Sequence, residues 1–81
     1  MPYIPRSKRD AIYDRKVVVR RPGELNYFIT RALIDYWRWS EKDYHSINDI
    51  LGALEGAKLE FYRRVAVPYE DAKIQESGDV Y

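Results

Sequence analysis

Apolar residues recur every three or four positions between residues 24 and 39. The positions are Leu25, Phe28, Ile29, Ala32, Leu33, Tyr36 and Trp37. This i, i+3, i+4, i+7 spacing places them on one side of an α-helix. Pro22 and Glu24 suit a helix start, because proline has no backbone donor to leave unpaired and a carboxylate favours the positive end of the helix dipole. The pattern therefore predicts a helix over residues 24–39.

A second amphipathic pattern begins after a polar connection, residues 40–45. Its apolar positions, called the apolar stripe below, are Ile47, Ile50, Leu51, Leu54, Ala57, Phe61 and Val65. Ser46, followed three residues later by Asp49, has the form of a capping box and is the predicted N-cap. These signals predict a second helix over residues 46–66.

A proline and a glycine predict where the last helices end. Pro68 lacks a backbone donor and its ring clashes with the carbonyl group of Arg64, so the second helix should end near Ala66 or kink there. A short final helix is predicted over residues 69–76. Gly78 can adopt the left-handed conformation that commonly stops a helix.

The first 21 residues follow a different pattern. Ser7 has an acidic residue three positions later and predicts a short helix over residues 8–15. The valines at 17–19 favour extended backbone, either as a linker or paired with the same segment of another subunit. We predict one domain with an N-terminal arm, residues 1–21, and a helical part, residues 22–81.

The predicted fold is all-α, with a helical hairpin of residues 24–39 and 46–66 and short terminal helices. Two helices cannot enclose a core, so terminal segments or another subunit must complete it. The chain has 81 residues, no cysteine and one histidine, His45, so neither a disulfide nor a histidine-rich metal site can support it. Oligomerisation is the expected support.

Gly52 and Gly56 lie four residues apart inside the second helix. Glycine in a helix interior costs about 1 kcal/mol relative to alanine, so two of them suggest close approach of another helix or a ligand. The alternative is simple tolerance of glycine. We predict a subunit interface that contains both glycines and Trp37.

The composition narrows the class of protein. The formal net charge is +1, whereas nucleic-acid binders are usually more basic, so nucleic acid is an unlikely partner. Neither a signal peptide nor an apolar run long enough to span a membrane is apparent. We expect a soluble, cytoplasmic protein.

Catalytic chemistry has little support in the sequence. Ser46 is next to His45, but adjacency does not make a catalytic pair, and a capping role explains the serine better. There is no Glu-x-x-His motif of the kind that di-iron bundles use. We predict that the protein is not an enzyme and holds no cofactor or metal.

Two groups of residues are candidates for binding an anion. Arg20 and Arg21 precede the free amides of a helix N-terminus, although solvated linker charges are the simpler explanation of both arginines. Aromatic rings beside arginines, as in Tyr62, Arg63 and Arg64, can stack a base and clamp a phosphate; favourable charges at a helix end and interface packing are the alternatives. The full set of predicted ligand-binding residues is Arg20, Arg21, Asn26, Tyr27, Tyr62, Arg63, Arg64 and Tyr69.

Four short segments follow one another along the chain: GELNYFIT at 23–30, LEGAKLEFYRRV at 54–65, PYED at 68–71 and GDVY at 78–81. In these segments the chain resembles a family of small proteins of bacteriophages and their hosts, a domain of unknown function. Residues 14–21 depart from the longer helix typical of such relatives. The resemblance implies a phage context but no reaction; small phage proteins often act by binding, and some sequester nucleotide signals of bacterial immunity.

We therefore expect a non-enzymatic helical homo-oligomer of phage accessory type. It would bind an anionic, nucleotide-like ligand, such as a host immune signal, in the host cytoplasm. One alternative is a protein-interaction module that docks on a host protein through its aromatic surface. A second alternative is a weak nucleic-acid binder.

Overall fold

The computed structural model describes residues 4–14 and 18–81. Its regular elements are all helical: α1 (Arg6–Tyr13), α2 (Pro22–Trp39), α3 (Tyr44–Phe61), a π-helical segment (Tyr62–Ala66) and α4 (Val67–Ser77). No strand occurs in the described residues. The predicted all-α class is therefore confirmed.

Helix α1 begins earlier than predicted. Its first backbone bond runs from the Arg9 amide to the Pro5 carbonyl oxygen, at 3.0 Å, and Pro5 rather than Ser7 occupies the N-cap. No side chain caps this end. The serine was therefore the wrong start signal, because the fixed backbone of Pro5 already directs the chain into the helix. Of the valine run, position 17 lies outside the described residues, and Val18 and Val19 belong to neither helix nor strand.

Helix α2 forms as its apolar pattern predicts and starts two residues earlier, at Pro22. The Leu25 amide donates to the Arg21 carbonyl oxygen at 2.9 Å, which makes Arg21 the residue that precedes the first turn. Pro22 thus takes the first helical position, where its missing N–H leaves no bond unmade.

The connection between α2 and α3 is shorter than predicted because Asp43, not Ser46, is the N-cap of α3. The Asp43 carboxylate accepts hydrogen bonds from the Ser46 amide at 2.9 Å and from the Ser46 hydroxyl at 3.0 Å. Ser46 is 6% exposed and lies in the first turn of the helix. An aspartate caps a helix as well as a serine does, so both residues fitted the sequence signal and only the geometry separates them.

The turn before Asp43 is stabilised by side-chain contacts to the end of α2. The Ser40 hydroxyl donates to the Trp37 carbonyl oxygen at 2.7 Å, and the Lys42 ammonium donates to the Arg38 carbonyl oxygen at 2.9 Å. Lys42 itself adopts a left-handed backbone, with φ of 59°, which is uncommon for a residue other than glycine. These bonds satisfy carbonyl groups that the last turn of α2 leaves free.

The helix does not end near Ala66, which was one of the two outcomes predicted for Pro68; a kink was the other. The backbone remains helical from Tyr44 to Ser77, and the five residues Tyr62–Ala66 form a π-helical turn. The Val67 amide donates to the Tyr62 carbonyl oxygen, five residues back. The wider turn accommodates the missing donor and the bulky ring of Pro68. The predicted stop at Gly78 is confirmed, with φ of 87° and its amide donating to the Ile74 carbonyl oxygen at 2.7 Å.

Large apolar side chains stay exposed along these helices. None of the described hydrophobic residues is buried, and the exposed set includes Leu25, Phe28, Ile47, Leu51, Leu54, Phe61 and Val65. The hairpin and the oligomer would each cover such surface, and neither is confirmed.

The chain divides into two units, Met1–Arg31 and Ala32–Tyr81, with the boundary inside α2. The first unit contains α1 and the first half of α2. The second contains the rest of α2, α3, the π-helical segment and α4. The predicted division at residue 21 stays a prediction.

Candidate functional site

The start of α2 holds a carboxylate of its own. The Glu24 side chain accepts a hydrogen bond from the Arg20 amide at 3.1 Å. Glu24 therefore occupies part of the position that a bound anion would take at this helix N-terminus, since both satisfy free backbone donors. Arg20 and Arg21 remain predicted ligand residues, but the Glu24 carboxylate in the first turn of α2 competes with any anion there.

Asn26 is paired within its own helix. The Thr30 hydroxyl donates to the Asn26 side-chain oxygen at 3.1 Å, across the i, i+4 spacing that brings side chains together on a helix surface. Tyr27 next to it is 68% exposed. The bond explains how asparagine is accommodated one turn inside α2. The binding role of Asn26 and Tyr27 stays a prediction.

Arg63 and Arg64 converge on one carboxylate. Glu60 accepts a hydrogen bond from the Arg64 side chain at 2.7 Å and a longer one from Arg63 at 3.4 Å. The Arg64 bond, followed by Arg63, holds the pKa of Glu60 below its ordinary value. The Glu60–Arg64 ion pair follows from the i, i+4 spacing in the sequence. The second arginine joins because it lies three residues from the same carboxylate.

The predicted Tyr–Arg cluster is divided between two sides of the helix. Tyr62 adjoins the arginines in the π-helical segment, whereas Tyr69 is six residues beyond Arg63 and lies on roughly the opposite side. The ammonium of Lys73 lies 5.5 Å from the centre of the Tyr69 ring. The structure therefore brings Arg63 and Arg64 together at Glu60, leaves Tyr62 beside them only in sequence, and places Tyr69 with a cation that the sequence did not suggest. Its signal was the four-residue spacing of Tyr69 and Lys73.

The two glycines of α3 lie away from the apolar stripe. An α-helix turns by about 100° per residue, so Gly52 and Gly56 fall on the side opposite to Leu54 and Phe61. A Cβ atom added at either glycine would meet nothing within 4 Å. Trp37 is half-buried in α2. The interface predicted at these residues stays a prediction, and the apolar surface available for burial lies on the other side of α3.

Ser46, which is next to His45 in the sequence, belongs to the cap of α3. The Ser46 amide and then its hydroxyl donate hydrogen bonds to the Asp43 carboxylate, and these bonds hold the pKa of Asp43 below its ordinary value. A serine that donates to a helix cap is occupied by a structural role. Among residues 4–14 and 18–81, no three acidic, histidine or cysteine side chains are grouped as metal ligands.

These features define a small all-α protein whose long helical segment carries an apolar stripe and, outside that stripe, two arginines that share one carboxylate. The family model of a domain of unknown function, DUF6899, matches residues 1–80, and the chain belongs to this family. The predicted membership of a domain-of-unknown-function family is confirmed at that level, and the phage context stays a prediction. No curated protein and no solved structure matches the chain.

The length and apolar character of the helices decide whether any of them could cross a bilayer. Within the described residues, none combines the length and the apolar character that a membrane span needs.

Proposed function

We propose that this protein is a non-enzymatic, self-associating binding protein. The observation that carries the proposal is the division of the long helical segment into two sides. One side presents the exposed apolar stripe, with Phe61 64% exposed, whereas Arg63 lies on the opposite side and Arg64 lies between the two at the edge of the stripe. Apolar surface of this extent on one helix marks an interaction site, while paired arginines suit an anionic ligand.

We expect the apolar stripe to be covered by another subunit of the same protein. A chain of this size buries little of its own surface and gains stability from another subunit. The same reasoning keeps the predicted hairpin within the proposal, because α2 exposes apolar residues as well. Sedimentation analysis tests the assembly: we expect an oligomer at micromolar concentration, and a folded monomer would contradict the proposal.

The ligand half of the proposal rests on Tyr62, Arg63 and Arg64. Two guanidinium groups and a neighbouring ring offer charge pairing and stacking to a nucleotide-like anion. Glu60 satisfies the arginines while the ligand is absent, so binding exchanges one carboxylate for another anion. Sequestration of a host nucleotide signal in the host cytoplasm, the role suggested by the phage resemblance, is the specific form of this proposal.

A thermal-stability screen against nucleotides tests the ligand. A compound at 100 times its dissociation constant should stabilise the protein by about 2.7 kcal/mol. The Arg64→Ala variant should lose this shift while still sedimenting as an oligomer, because a surface ion pair adds little to association. Lys73→Ala is the matched control, because it removes a cation from the same helical segment away from the arginine pair. Equal losses in both variants would show a nonspecific charge effect and refute the site.

The alternative that these observations also favour is a protein-interaction module, because exposed apolar side chains fit a host protein as well as a second copy. Native mass spectrometry of protein purified from cells separates the two. A retained small molecule supports sequestration, whereas a bare species favours a protein partner. Nucleic-acid binding is the weaker alternative, and binding to DNA that does not fall steeply with salt would exclude it.

A further inference from the structure

We propose that the apolar stripe packs antiparallel against the apolar stripe of a second copy. The two copies are related by a two-fold axis that crosses the helix at the level between Gly56 and Ala57. This inference rests on the proposed self-association and specifies its partner, its direction and its register. Three observations on α3 and the π-helical segment carry it: the spacing of the apolar side chains, the charges that flank them and the area that they expose.

The spacing of the stripe fits a two-fold axis at this point. Each residue advances an α-helix by about 1.5 Å, so positions equally far from the axis lie at the same level in the two copies. Ala57 then faces its own copy at the axis. Leu54 of one chain lies between Ala57 and Phe61 of the second copy, and each Phe61 lies between Ile50 and Leu54 of the other. Large side chains therefore enter gaps rather than meet each other, as close packing of helices requires.

The flanking charges favour the same arrangement. With this axis, Asp49 lies level with Arg64 of the second copy along one edge of the stripe, and Glu55 lies level with Lys58 along the other. Both pairs are of opposite charge. A parallel pairing would bring Glu55 towards Glu60 and Lys58 towards Arg64, which are like charges. Within one chain Glu55 and Lys58 are 3.7 Å apart on the exposed surface, so they are placed to be shared with a second copy.

The exposed area matches a small stable interface. Within the stripe, Leu51 is 58% exposed and Phe61 64%, and Ile47, Leu54 and Val65 are exposed as well. Together the stripe offers roughly 600 Å² per chain, so a pair would bury roughly 1,200 Å², which reaches the lower limit of stable interfaces. The chain's own α2 could cover only the stripe of its own chain and would leave the chain monomeric.

Because the chain contains no cysteine, single cysteines report the geometry directly. We expect Ala57→Cys to form a disulfide-linked dimer under mild oxidation, since its two copies face each other. Ile47→Cys should remain unlinked, because its two copies would lie about 28 Å apart along the axis. Mixing Ile47→Cys with Val65→Cys should give a mixed disulfide, since these positions lie at nearly the same level. Circular dichroism checks that each variant remains helical.

Each result separates the inference from the proposed function. Linked Ile47→Cys dimers would indicate parallel pairing and overturn the antiparallel arrangement. Absence of every disulfide in a protein that still sediments as an oligomer would overturn this docking face and leave self-association standing. Absence of every disulfide in a monomeric protein would overturn both. Linkage of Ala57→Cys at least about tenfold above Ile47→Cys, together with the mixed disulfide, would support the proposed pairing.

Discussion

Two leucines on opposite sides of α3 provide the sharpest test of where the chain associates. Leu54 belongs to the apolar stripe and is 37% exposed, whereas Leu59 lies on the glycine side and is 57% exposed. The substitutions Leu54→Ala and Leu59→Ala remove the same atoms from the same helix and barely alter helix propensity. Any difference between them therefore reports on packing against a partner.

The expected magnitude follows from the exposed area. With 37% of its surface exposed, Leu54 offers roughly 70 Å² to a partner, which is worth about 1.7 kcal/mol per chain and about 3.5 kcal/mol in a symmetric pair. Alanine retains a methyl group, so we expect a loss of about 2.5 kcal/mol, or roughly 60-fold in the dissociation constant of the dimer. Leu59→Ala should leave that constant within about twofold.

Sedimentation equilibrium over a range of protein concentrations measures both constants. The comparison runs against the order of exposure, because the less exposed leucine should have the larger effect. Equal weakening by both variants, or weakening by Leu59→Ala alone, would refute the assignment of the interface to the apolar stripe. Circular dichroism at each concentration keeps loss of helix distinct from loss of association.

Three further predictions concern the ends and the polar side of α3. The Asp43 cap has a lowered pKa, so its stabilisation is present above about pH 4 and is lost as the pH falls further; Asp43→Ala should reduce the acid dependence of helicity measured by circular dichroism. Gly56→Ala should raise thermal stability by about 0.5–1 kcal/mol without changing association, because its new methyl group meets open space; weaker association would instead place an interface at the glycines. Glu60→Gln should tighten ATP binding severalfold in calorimetry by releasing Arg64, and weaker binding would contradict competition between Glu60 and the ligand.

The helices of this chain follow closely from its sequence because their apolar spacing is regular. The spacing of three and four residues in α2 and α3 can be satisfied only by a helix, and Gly78 ends the last one where its freedom to adopt positive φ predicts. The helix starts were less certain. Asp43 and Ser46 are both good caps, and the hydrogen bonds that join them decide the matter only in three dimensions.

The candidate site was harder to predict, because a residue list does not say which side of a helix each residue occupies. Arg63, Arg64 and Tyr69 are close in sequence, yet Tyr69 lies roughly opposite the arginines. The i, i+4 spacing of Glu60 and Arg64 was sufficient to predict their ion pair. The placement of Tyr69 required knowing that the backbone stays helical through Pro68, where the sequence had predicted an end or a kink.

The π-helical turn also links the proline to the apolar stripe. Phe61, Val65 and Tyr69 are spaced four apart, and in an uninterrupted α-helix each such step would drift by about 40° around the axis. A π turn takes about one residue more than an α turn, so it cancels much of that drift and keeps the three side chains on one side. The π-helical turn that accommodates Pro68 thus also extends the apolar surface from Phe61 to Tyr69. Arg63 lies within that turn and faces away from the stripe, which leaves it accessible to an anion while a second copy covers the apolar side, and Arg64 lies between the two sides at the edge of the stripe.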